Sequence, residues 1–177
     1  MQDYTNRQVT WTSDGRDHTA RILNHIRDGA TSSAWLAIEE DNPSSQWVVK
    51  VPFSDAVQYD VSGNPFVPEL DVIDALRQEY GQGRYAPLPE MYHAELDPPS
   101  NSNILIIKYY PVDQQAILAL RQTNVTKEWF LKFAIESAYL FSTCIKIGYR
   151  NTDVKDENFF WTPDQNLVVL DWNRYEI

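Results

Sequence analysis

The stretch DVKDENFFWTPDQNLVVLDWN, residues 153–173, decides how the chain reads. It places an acid, a lysine and an amide (Asp153, Lys155 and Asn158) in one short loop. An apolar hairpin then delivers a second acid, Asp171, just past Leu167–Leu170, with the turn at Pro163-Asp164-Gln165-Asn166. Polar groups flanked by strands this apolar are well placed to be held rigidly around a small volume. Two carboxylates and an amide oxygen are hard ligands of the kind Mg2+ takes alongside substrate phosphates. A lysine among them suits a phosphoryl group whose developing charge needs neutralising.

Upstream the chain changes character. Thr19–His25, Ala34–Glu39, Gln46–Phe53 and Asn103–Tyr110 are β-branched and aromatic runs bounded by Gly, Pro, Asn and Asp, which predicts strands. Pro68–Tyr80 puts Leu70, Ile73 and Leu76 on one face and acids in its first turn, which predicts a helix. Ser54–Val67 and Asp97–Ser102 read as loops, Asp113–Gln122 as a short helix and Thr126–Ile147 as a long one. The long helix is apolar on most sides, interrupted by Lys132 and Glu136 at i, i+4. A strand-rich first half followed by a helical second half predicts an α+β fold.

Residues 153–173 resemble the catalytic loop and metal motif of the protein-kinase-like superfamily, D-x-K-x-x-N followed by D-F-G. The separations are five positions from Asp153 to Asn158 and thirteen from Asn158 to Asp171. Trp47-Val48-Val49-Lys50 resembles that family's V-A-I-K strand, Asp28–Ala34 its Gly-rich hairpin, and Ile106–Tyr110 the strand entering its adenine-binding hinge. The resemblance spans residues 19 to 173. It implies a protein-kinase-like α+β fold: a β-rich N-lobe with one helix, and a short, incomplete helical C-lobe ending just after the D-F-G-like motif. The domains would be an N-terminal extension at 1–18, an N-lobe at 19–108 and a partial C-lobe at 109–177.

The same resemblance implies an ATP- and Mg2+-dependent phosphotransferase acting on Ser/Thr hydroxyls of a protein. Asp153 would orient the attacking hydroxyl and Lys155 steady the transferred phosphoryl. Asn158 and Asp171 would hold Mg2+, and Lys50, fixed by Glu79, would contact the α/β-phosphates, with Glu69 the rival partner. Gly29 would approach the phosphates, Ala34 and Val48 would cover adenine, and the backbone of Lys108 to Tyr110 would bind its edge. Two other readings stay open: a pseudokinase or regulatory binding module, and a small-molecule kinase suggested by Asp171-Trp172. The loop keeps Gly29 between Arg27 and Ser32, Asn151-Thr152-Asp153 replaces H-R-D, and Asn173 replaces the D-F-G glycine, where a positive φ is expected. Six residues follow Asp171, so a protein partner or second copy is expected to cover Thr126–Ile147.

Composition bounds these readings. The chain has 177 residues, 43% hydrophobic, which predicts a single globular domain with a real core. A net charge of −10 argues against nucleic-acid or anionic-membrane partners. The first residues carry no apolar h-region and no run is long enough to span a membrane, so a cytoplasmic protein is expected. Cys144, the one cysteine, excludes a disulfide framework and falls in the long apolar helix, where a buried, inert thiol is expected. His18, His25 and His93 show no ligand-like spacing.

Overall fold

The computed structural model describes residues 2–29, 31–53, 68–81, 83–99, 103–116, 118, 125–151, 154–172 and 174–176. The chain divides into two compact units, Met1–Val57 with Glu90–Tyr109, and Gln58–Pro89 with Tyr110–Ile177.

The first unit is a closed barrel. Its strands are β1 (Gln8–Ser13), β2 (Arg16–Asp28), β3 (Ser32–Glu39), β4 (Gln46–Pro52), β5 (Met91–Asp97) and β6 (Ile104–Lys108). They run antiparallel in the order β1-β2-β3-β4-β6-β5, and β1 closes back on β5 through Gln8↔Asp97, Val9↔Leu96 and Thr10↔Glu95. Period-two alternation drives this arrangement, because successive strand side chains point to opposite faces. Val9 and Trp11 on β1, Trp35 and Ala37 on β3, and Trp47, Val49 and Val51 on β4 all turn inward to one core with Ile22, Leu96, Ile104 and Ile106. Asp14-Gly15, both at positive φ (50° and 71°), join β1 to β2 by the tight two-residue turn that matches strand twist.

That closure corrects the resemblance. The expectation of a protein-kinase-like fold, with an N-lobe beginning at residue 19 and an incomplete C-lobe, is overturned: the strand-rich unit is a six-stranded barrel. With the fold falls the assignment of the chain to that superfamily, and the descriptions serine/threonine kinase and pseudokinase that rested on it. The reason lies in residues 8–13, expected to be part of an extension. Gln-Val-Thr-Trp-Thr-Ser alternates polar and apolar side chains, and its pairing with β2 and β5 removes both sheet edges. Most individual segments nonetheless lie where the periodicity places them. The difference is in how they assemble.

In the second unit, α1 (Glu69–Tyr80) buries Leu70, Val72, Ile73 and Leu76. The long helix α2 (Lys127–Lys146) starts at Thr126, whose side chain accepts the Trp129 N–H at 3.1 Å. Short strands follow: β7 (Tyr149–Asn151) pairs with β10 (Arg174–Glu176), and β8 (Phe159–Trp161) with β9 (Leu167–Val169). Of the helix expected over Asp113–Gln122, Val112–Gln114 form a 3-10 turn and Ala116 and Leu118 are helical, while residues 117 and 119–124 lie outside the described residues, as does the loop Ser54–Val67. Among the described residues no helix is long and apolar enough to cross a membrane.

Candidate functional site

The hairpin β8–β9 is seated on the inner face of α2. Phe133 and Phe141 meet Phe159 at centroid distances of 5.7 and 6.1 Å, and Trp129 meets Trp161 at 4.8 Å. Segments from elsewhere in the unit clasp it as well. The Tyr85 hydroxyl donates to the Leu167 carbonyl at 2.7 Å, and the Val169 N–H donates to the Pro87 carbonyl at 3.1 Å. Burial, chiefly, pushes the Tyr85 hydroxyl's pKa well above the ordinary phenol range, so it stays a neutral donor.

The hairpin runs one rung beyond its strands. The Leu170 N–H donates to the Asn158 carbonyl at 2.8 Å, so Asn158 and Leu170 face each other at the open end and Asp171 comes next. Asn158 closes a 3-10 turn, Asp156–Asn158, and is buried at 4% exposure, whereas Lys155, just before that turn, is exposed. Asp171 has φ 53°, a left-handed conformation that a residue with a side chain seldom adopts.

Its neighbours impose that conformation. Trp172 is completely buried, its indole N–H donating to the Val169 carbonyl at 2.8 Å and its backbone N–H to Glu69 Oε1 at 3.2 Å. Leu170 is tied on one side and Trp172 on the other, so the chain between them must turn sharply. Strain of this kind costs about 1–3 kcal/mol and persists only where the surroundings over-determine it, as they do at functional sites. The expected positive φ was at Asn173, which lies outside the described residues; in the Asp171-Trp172 pair it falls on the acid itself, while Asn6, Asp14 and Gln165 are left-handed elsewhere. Trp172 and Glu69 as its anchors were not foreseen. The Asp-Trp pair was the available signal, since a Trp directly after a candidate ligand can root it.

The other expected residues distribute as follows. Asp153 lies outside the described residues. Glu79, at the end of α1, is engaged by Lys146 of α2. On the barrel, Ala34 pairs with Lys50 and Leu36 with Val48, so Ala34, Val48 and Lys50 share its outer face, opposite to the inward Trp35, Val49 and Val51. Gly29 lies in the β2–β3 turn, its N–H donating to the Ser32 carbonyl at 2.8 Å. A Cβ there would meet only that carbonyl oxygen, at 3.4 Å, so the space does not demand glycine. The Lys108 and Tyr109 N–H groups are bonded to the Glu90 and Gln46 carbonyls at 2.9 and 3.0 Å, which occupies two donors expected for an adenine edge. The Lys108 ammonium sits over Trp47 and donates to the Ser45 hydroxyl at 3.0 Å. Tyr110, in the second unit, packs on Phe160 at 5.8 Å. Cys144 is buried, as its place in the helix predicts.

Among the described residues no three His, Cys, Asp or Glu side chains gather as a metal cage. Asn158 and Asp171 are an amide and a carboxylate at one hairpin end. That donor set fits Mg2+, which keeps water and takes its remaining oxygens from phosphates. It does not fit zinc, which takes three or four N, S or O ligands. No known family model matches the chain, and no curated protein sequence matches it.

Proposed function

We propose that the second unit binds Mg2+ together with a phosphorylated ligand of the ATP type at the open end of the β8–β9 hairpin. The observation that carries this reading is Asp171, held at φ 53° beside the buried Asn158 by hydrogen bonds on both its flanks. Asn158 and Asp171 would supply protein oxygens to the cation, and Lys155, exposed at the same end, would neutralise phosphate charge. Phosphoryl transfer to a hydroxyl is the chemistry that such a site serves. A cytoplasmic location accords with this ligand. The test is thermal melting with Mg2+ alone, ATP alone and both. A ligand at 100 times its Kd stabilises by about 2.7 kcal/mol, so the pair should raise Tm and Asp171→Ala should abolish the rise. No shift in the wild type, or an equal shift in Asp171→Ala, overturns the reading.

A second reading, a docking module, is favoured by the outward face of α2. Phe130, Leu131, Ile135 and Ile145 are 53, 46, 62 and 61% exposed, an apolar strip of the kind that marks an interaction surface. A protein partner over this helix accounts for that strip. Placing a charge in the strip with Ile135→Glu should then abolish association while leaving the fold and the Mg2+–ATP shift intact.

A further inference from the structure

The outward face of α2 has an internal symmetry. Leu131, Ala138 and Ile145 recur every seven residues, and Ala134, Ile135 and Ser142 fill the positions between them, all exposed. A seven-residue apolar repeat is the seam of paired helices. No charged side chain stands on this seam: Lys132 and Glu136 pair with each other at 3.7 Å and lie on the more buried side.

We propose, building on the docking reading, that the occupant of this face is the same helix of a second copy, packed antiparallel about a two-fold axis at Ala138. An isologous contact requires a surface complementary to itself. About Ala138, Leu131 of one copy meets Ile145 of the other and Ala134 meets Ser142, with Ile135 beside the crossing. The small central residues let the two backbones approach. The seam from Leu131 to Ile145 is about 21 Å long at 1.5 Å per residue.

Charge permits the same partner. The chain as a whole carries −10, yet α2 holds three lysines (Lys127, Lys132, Lys146) against two glutamates (Glu128, Glu136). The helix therefore adds none of the molecule's net negative charge to a contact between two copies. Antiparallel packing brings Glu128 of one copy near Lys146 of the other and opposes the two helix dipoles favourably.

The experiment uses the full chain. Light scattering over a wide concentration range should show twice the chain mass, falling to one chain mass in Ile135→Glu with an unchanged circular dichroism spectrum and a melt that no longer depends on concentration. Ala138→Cys should form a disulfide-linked dimer on mild oxidation, because residue 138 meets itself at the axis. Glu128→Cys should not, its two copies being about 30 Å apart. The wild type is the control, with Cys144 buried. A single chain mass at every concentration, a dimer that survives Ile135→Glu, or cross-linking at 128 in preference to 138 overturns the self-pairing. A monomer that still shows the Mg2+–ATP shift would fail this pairing alone and leave the hairpin site standing.

Discussion

The barrel unit and the helical unit handle apolar side chains in opposite ways. The barrel turns Val9, Ile22, Val49 and Ile106 fully inward, and closing β1 on β5 leaves no strand edge between them. The second unit relies on strands of three residues and on one long helix, which roots the hairpin on its inner face and leaves Phe130, Ile135 and Ile145 outward. Closure leaves the first unit no open sheet edge. The second keeps both a strained acid and an unspent apolar face, and it is there that ligand and partner are to be sought.

The sharpest way to break this contrast is to open the barrel core. Trp35 is 3% exposed and its indole N–H donates to the Ser33 hydroxyl at 2.8 Å, so Trp35→Ala should cost about 3–5 kcal/mol in denaturant unfolding. A loss under 1 kcal/mol would mean that the barrel interior is not tightly packed.

Smaller effects sharpen the comparison from the other unit. Removing the α2 cap with Thr126→Ala should cost about 1 kcal/mol, read as a lower denaturation midpoint, because the Trp129 N–H loses its acceptor. Asp171→Gly should do the reverse: relieving the left-handed strain should raise stability by about 1 kcal/mol while the Mg2+–ATP shift disappears. A loss of stability in that variant would show that the acid is held by favourable contacts rather than against strain.

The barrel should also carry a pH signature. Burial raises the pKa of the Glu39 carboxyl, but hydrogen bonds from His18, Ser45 and Trp47 outweigh it and hold the group below its usual value of 4.5. His18 Nδ1 donates to it at 2.7 Å. A carboxyl whose folded pKa is depressed stabilises fully above its unfolded pKa and loses that contribution as pH falls through the folded one. Barrel stability should therefore fall on acidification below about pH 4.5, and Glu39→Gln should flatten that slope. An identical acid profile in the variant would remove Glu39 from the account.

Local periodicity made most of the elements legible. The alternation of Trp47-Val-Val-Lys-Val and the 3.6-residue spacing of Leu70, Ile73 and Leu76 state a strand and a helix without reference to anything distant. The hairpin was legible too, because two apolar triplets flank a Pro-Asp turn. Motif order, by contrast, misled. Lys50 with Glu79 and the spacing of Asp153, Asn158 and Asp171 pointed to one family architecture. In the structure the six residues Gln8–Ser13 close a barrel instead.

Amino-acid order thus accounts for the strands, the helices, the acidic surface and the hairpin that presents Asn158 and Asp171, because each follows from neighbours along the chain. Ring closure by β1, the rooting of Trp172 on Glu69 and the left-handed turn at Asp171 were settled by contacts between distant segments: Gln8 with Asp97, Glu69 with Trp172. Such pairings depend on which surfaces remain to be buried once every element has formed, and no local spacing encodes that competition.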